Sequence, residues 1–270
     1  MTYRTILVEL AGDVGIEPRL QLARRLADRF DAVLIGLHVM PAPFIPASYG
    51  EAAAYLGPEL IEAQRQANRE ATDQVKVVFH RVCGGGPDAL WQEAEGDRGD
   101  LLARAARTSD LVLARRAKPE STEVPDVLDQ LVTAAGVPVL ALPPGGAGEP
   151  GQIVLVAWNG SREAARAAHD ALPFLQAAKR VVLCAIGAEA ARSLEAAATM
   201  LRRHGIAVEP RRVDEPDGGA GEILLAQAQA EKADLLVMGA YGHARLREWV
   251  FGGATRHVLS EATLPVLFSG

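Results

Sequence analysis

The sequence predicts an α/β fold, and three observations carry that prediction. Of the 270 residues, 49% are hydrophobic and 23% charged, ordinary proportions for a folded chain with a sizeable core. Aromatics make up only 5%, whereas Ala, Leu and Val abound, a mixture suited to helices laid over aliphatic strands. Third, one order of signals (apolar run, amphipathic helix, apolar run) occurs twice, near the N-terminus and again after residue 150. Strand, helix, strand is a βαβ unit, and its right-handed crossover makes the sheet parallel and covers its faces with helices.

The first copy opens with an apolar run at 5–10. A helix is expected over 18–30, where Leu22, Leu26 and Phe30 recur every four residues with Arg and Asp on the other faces. A second buried strand follows at 32–39. Pro41, Pro43, Pro46 and Pro58 then punctuate an extra loop ahead of a helix at 59–75. Residues 101–107 lead into a strand at 110–114, and a last short strand lies at 137–142 with Pro138 at its mouth, where a missing N–H is tolerated. The second copy repeats the order: strand 153–158, helix 161–176, strand 180–186, then 224–232 leading into a strand at 234–238, and a last strand at 264–269 with Pro265 at its mouth. A joint rich in Pro and Gly, 143–151, separates the copies, so the expected domains are 1–146 and 151–270.

Composition also excludes classes of function. Lys and Arg number 28 against 34 Asp and Glu, a formal charge of -6, which lacks the basic footprint of a nucleic-acid binder. Cys83 and Cys184 lie in separate copies without CxxC or metal-ligand spacing and read as buried free thiols. His80, His169, His204 and His257 show no HxxxH or HxH spacing, and His38 reads as a satisfied strand-end histidine with no Ser or Cys arranged around it. No basic segment followed by a long apolar one opens the chain and no window approaches a membrane span, so no membrane partner and a cytoplasmic location are expected.

The chemistry-bearing stretch follows the fourth strand of the second copy. It begins Gly239-Ala240-Tyr241-Gly242-His243 and continues to Gly252-Gly253-Ala254-Thr255. In an open parallel sheet, ligands sit beyond the carboxyl ends of strands, and Gly239 follows such an end directly. Glycine there lets the backbone approach an anion closely. Gly252 and Gly253 precede a helix expected over 254–262, whose first N–H groups lack intrahelical partners and can point at phosphate oxygens. Thr255 offers a hydroxyl. His243 reads either as a phosphate or sugar contact or as a polar turn residue. Arg245, Arg247 and Arg256 read as the wet face of a helix with Glu248 to pair with them, and Trp249, Val250 and Leu246 as helix packing.

These residues, both βαβ openings, the Asp that leads each fourth strand and the terminal Pro-Val-Leu strands give the chain a resemblance to a tandem universal stress protein. The resemblance covers most of the sequence. It implies two Rossmann-like domains of the adenine nucleotide alpha hydrolase type, each a mainly parallel five-stranded sheet with helices on both faces. The family's nucleotide motif is GxxG, nine residues, then Gly followed by Ser or Thr. Here Gly239 to Gly242 match its first part and Gly252 its third glycine, while Gly253 replaces the hydroxyl residue. Nucleotide-binding relatives carry an Asp at the first strand's exit; Asn159 stands here and brings no charge for a metal ion. The nucleotide contacts implied are thus Asn159, Met238, Gly239, Gly242, His243, Gly252, Gly253, Ala254 and Thr255, holding ATP, ADP or AMP.

The first copy has Glu9-Leu10-Ala11-Gly12 at the strand exit and Ala114-Arg115-Arg116-Ala117-Lys118 in place of GxxG, so it reads as degenerate, with Arg115 and Arg116 solvated or facing the other domain. Such domains pair through the last strand, which implies an internal pseudo-dimer with 137–142 near 265–268 and allows a homodimer. The expected function is a nucleotide-binding stress-response protein. The alternative is a family member that binds no nucleotide and acts as an interaction module. The loop supplies amides but no evident general base or Lys clamp, so at most weak ATP hydrolysis is expected.

Overall fold

A computed structural model describes residues 2–13, 15–116, 127–214, 219–240 and 253–270, with the side chains of 51–54 excepted. The N-terminal half runs β1 (Thr5–Leu10), α1 (Ile16–Phe30), β2 (Val33–Met40), a 3-10 turn (Ala47–Ala52), α2 (Ala53–Cys83), β3 (Ala89–Glu95), α3 (Arg98–Ala106), β4 (Leu111–Arg115), α4 (Val127–Ala134) and β5 (Val139–Leu142). The C-terminal half runs β6 (Ile153–Trp158), α5 (Arg162–Asp170), α6 (Leu172–Ala177), β7 (Arg180–Ile186), α7 (Gly187–Ala191), α8 (Leu194–Arg203), β8 (Val208–Val213), α9 (Ala220–Ala230), β9 (Leu235–Gly239), α10 (Gly253–Glu261) and β10 (Val266–Ser269).

The strands form one ten-stranded sheet in the order β3-β2-β1-β4-β5-β10-β9-β6-β7-β8. Each half is parallel within itself, and the halves join where β5 and β10 pair antiparallel, Leu140 opposite Leu267. Strand residues alternate between the two faces. Ile6, Val8, Val154 and Val156 pack under α1, α2, α5, α6 and α8, whereas Leu7, Val112, Leu155 and Met238 pack under α3, α4, α9 and α10. That two-sided burial is why the strands read as continuous apolar runs.

Two aspartates repeat a register device. Asp110 Oδ2 accepts from the amides of Arg4 (2.8 Å) and Thr5 (2.9 Å), and Asp234 accepts from Gly151 (2.6 Å), Gln152 (3.0 Å) and Ile153 (3.1 Å). Each carboxylate, set just before the fourth strand, thereby fixes the start of the first strand beside it. Beside the seam, the rings of Tyr3 and Phe30 in the N-terminal half meet edge-on at 5.0 Å, and Phe30 meets Phe174 of the C-terminal half at 5.3 Å. Such pairs add about 0.5–1.5 kcal/mol each beyond their buried area. The Tyr3 hydroxyl donates to the Asp170 carbonyl at 2.6 Å, and Ser269 Oγ donates to Asp170 Oδ2 at 2.6 Å.

Three expectations change. The helix expected over 161–176 is two, because Pro173 in the first turn of α6 has no N–H to continue α5. The helix expected at 59–75 begins before Pro58 and runs to Cys83. The edge strands β3 and β8 carry no long apolar run and are additions to the sequence reading. No described helix is long and apolar enough to cross a membrane.

Candidate functional site

A cavity of about 810 Å3 opens at the carboxyl ends of β6, β7 and β9, within the range usual for ligand pockets. The exit of β6 contributes Ala157 and Trp158, then the turn Asn159, Gly160 and Ser161. The end of β7 gives Cys184 and Ile186, and β9 gives Met238 and Gly239. Ala220 and Leu224 of α9 line another side, and α10 presents Gly253, Ala254 and Thr255 from its first turn.

The site's polar groups are held in defined states. Asn159 Oδ1 accepts from the Ser161 amide (3.1 Å), and Ser161 caps α5 by accepting from the Ala164 amide (3.2 Å). The N-terminus of α5 is thus partly occupied by its own cap. Trp158 Nε1 donates to Ser193 Oγ at 2.9 Å, which fixes the indole against the start of α8. Cys184 is buried, and burial pushes its thiol up to about 11, so it stands at the cavity floor as a neutral, weakly nucleophilic group. Glu189 is the single charged residue among the described lining residues, and it is exposed and paired with Arg192 at 2.8 Å. Among the described lining residues, an anion would meet backbone amides rather than ammonium or guanidinium groups.

Of the sequence-predicted residues, Asn159, Met238, Gly239, Gly253, Ala254 and Thr255 come together around this cavity. Gly242, His243 and Gly252, with Arg245, Leu246, Arg247, Glu248, Trp249 and Val250, lie outside the described residues, as does Lys118. Sequence reasoning missed Ser161, the β7 exit and α9. The rule that sites gather at strand exits would have reached the β7 exit, since it neighbours β6. The physical reason given for Gly239 is corrected. A Cβ there would stand 2.5 Å from the Glu163 carbonyl carbon and 2.6 Å from the Ala164 nitrogen, so the missing side chain makes room for α5, not for an anion. By contrast, a Cβ on Gly253 would meet no described atom within 4 Å.

The corresponding place in the N-terminal half is filled. Pairing of Ile6 with Leu111, and of Val154 with Leu235, makes Glu9 the counterpart of Ala157 and Arg115 that of Gly239. Glu9 is 1% exposed, pairs with Arg98 and accepts from the Arg115 amide at 3.0 Å. Asp13 pairs with Arg19 at 3.0 Å and with Arg115 at 3.3 Å. Of the two readings of Arg116, the one facing the other domain holds: it is buried and reaches the C-terminal half, donating to carbonyls of α10. His38 is satisfied as expected, its Nδ1 lying 3.0 Å from the Leu10 carbonyl.

An open cavity at the exits of parallel strands, beside a helix N-terminus, lies where ligands bind in open α/β sheets as a class. Comparisons with known proteins narrow the class. Residues 151–269 match the model of the universal stress protein family. It is 35% identical over 79 residues to a universal stress protein of Synechocystis, a stretch covering 29% of this chain and 26% of that one, so the match spans about a quarter of the relative's length. Among solved structures, a universal stress protein from Archaeoglobus fulgidus superposes with a TM-score of 0.70 at 16% identity, covering 98% of this chain and 97% of that one. A protein from Pseudomonas aeruginosa gives 0.59 at 19% identity, covering 99% and 93%. At these identities both establish the fold of the whole chain.

Proposed function

We propose that the C-terminal cavity binds an adenine nucleotide, ATP, ADP or AMP, and that the chain is a cytoplasmic stress-response protein whose stability or partner choice shifts with occupancy. One observation carries this reading: residues from three separate segments, at 159, 238–239 and 253–255, meet around a single nucleotide-sized cavity with a helix N-terminus at its rim. In this reading 151–270 is the binding domain, with phosphates at the first turn of α10. The unit 1–146 is a degenerate partner domain, and pairing between chains adds to the internal pseudo-dimer. Turnover is not part of the proposal.

The test is calorimetry with ATP, ADP and AMP, with and without magnesium. Saturable heat at high micromolar protein is expected. Its absence, with an unchanged melting temperature across the nucleotide panel, would instead favour the interaction module, to which Gly253 in place of the family's hydroxyl residue points.

A further inference from the structure

The helix that opens the cavity is completed by the other half of the molecule. Arg116 follows β4 in the N-terminal half and is 3% exposed. Its guanidinium crosses the β5–β10 seam to the C-terminal end of α10, where Nη1 donates to the carbonyls of Val258 and Leu259, each at 3.3 Å, and Nη2 donates to the carbonyl of Ala262. We propose that Arg116 is the positioning residue of α10, and that through it ligand occupancy of the C-terminal cavity is coupled to the contact between the halves.

Four considerations lead there. A helix leaves its last carbonyls without intrahelical partners, and burial makes that costly unless a donor arrives; Val258 already accepts from the Ala262 amide at 3.1 Å, while for Leu259 and Ala262 the donor comes from a different half. Nine residues make a helix too short to persist alone, so tertiary contacts decide where its first turn sits. Gly253, Ala254 and Thr255 lie only about 5–14 Å along the axis from the Arg116 contacts, so a shift at one end is transmitted to the other. A cation at the C-terminal end also reinforces the dipole whose positive end faces the cavity.

The arrangement is one-way. Ala240 holds the equivalent place after β9, its amide donating to the Ser269 carbonyl (2.8 Å) as that of Arg116 donates to the Leu142 carbonyl (2.9 Å). The N-terminal half therefore supplies a guanidinium to the C-terminal half and receives none at that position. Far from being only a vestigial copy, it carries a part of the site.

The nucleotide reading supplies the ligand for one arm of the test, while the other arm needs no ligand. In the full chain, Arg116→Met and Arg116→Lys are compared with wild type by amide hydrogen exchange and by titration with ATP and with adenosine. Exchange in 254–262 should rise about tenfold in Arg116→Met while β6 and β7 keep their protection. ATP binding should weaken about tenfold with adenosine binding within about twofold, because only the phosphates face the displaced amides. Arg116→Lys should recover part of both. If Arg116→Met fails to fold, Arg116→Lys alone should still loosen α10 selectively. Unchanged exchange in α10 overturns the proposal, and so does an equal loss of ATP and adenosine, which would mark a merely structural residue. If wild type binds neither compound, the nucleotide reading fails, and the exchange arm still decides whether Arg116 positions the helix.

Discussion

Replacing Gly253 with serine puts the nucleotide reading to its most direct test, because it restores a hydroxyl where the family motif has one. The site has room: a Cβ at 253 meets no described atom within 4 Å. Exchanging Gly for Ser at the start of a helix alters stability by only a few tenths of a kcal/mol, so fold and function can be read separately. A hydroxyl donating to a charged phosphate oxygen contributes about 1.5–3 kcal/mol, and fixing the side chain costs about 0.5–1 kcal/mol. The net is about 1–2 kcal/mol, or a dissociation constant roughly 5–30 times lower. Calorimetry with ATP measures it, and Gly253→Ala serves as control, since it fills the same space without a donor. Tighter binding by the serine variant alone is the expected result. Equal affinities for wild type, serine and alanine variants, with melting temperatures unchanged, would show that the phosphates do not lie at the first turn of α10.

Other consequences concern the scaffold. Gly239→Ala places a methyl 2.5–2.6 Å from two backbone atoms of α5 and should cost about 2–3 kcal/mol, read as a lower urea midpoint; unaltered stability would refute the close-packing account. Asp234→Ala removes the acceptor for three amides at the start of β6 and should cost about 2–4 kcal/mol, whereas Asp234→Asn should retain part of it. Burial raises the folded-state values of Tyr3, Cys83 and Cys184, the thiols to about 11, so the stability they confer is complete below their unfolded values and lost as pH rises through them. The urea midpoint should therefore hold up to roughly pH 8.5 and fall above it. Tyr3→Phe should lower the plateau by about 1 kcal/mol for the lost hydrogen bond to Asp170 yet make the alkaline decline shallower.

Much of this architecture is legible in the sequence because parallel strands buried on both faces leave continuous apolar runs, and nearly every such run is a strand. What escaped was the rim of the sheet. In β3, Gln92, Glu93 and Glu95 interrupt the apolar positions, and β8 carries Glu209, Pro210, Arg211 and Arg212, since an edge strand covered on fewer sides has no need of an apolar run. The first turn of α10 was legible because glycine spacing is local. The role of Gly239 was not, because glycine at a strand exit serves an anion and a packed helix equally well, and only the position of Glu163 and Ala164 separates the two. Arg116 shows a related limit: a basic pair after a strand reads as solvated or as facing the other domain, and nothing local decides between the two or names carbonyl partners 142–146 residues away.

The two halves share a topology, yet physical chemistry makes them unequal at the one place where they could have been interchangeable. In the C-terminal half, Ala157 and Gly239 contribute almost no side-chain volume, and the strand exits stay open. In the N-terminal half, their counterparts Glu9 and Arg115 bring a carboxylate and a guanidinium to the same spot, and Arg19, Arg98 and Asp13 complete a charge network around them. A buried carboxylate such as Glu9 is tolerable only while its partners remain, because stripping a partner from a buried ion pair costs about 3–5 kcal/mol. An incoming phosphate would compete with Glu9 and Asp13 for the same arginines and would leave those carboxylates unpaired. The network is thus self-sealing against anions even though it is rich in arginine, while the C-terminal cavity has no arginine or lysine among its described lining residues.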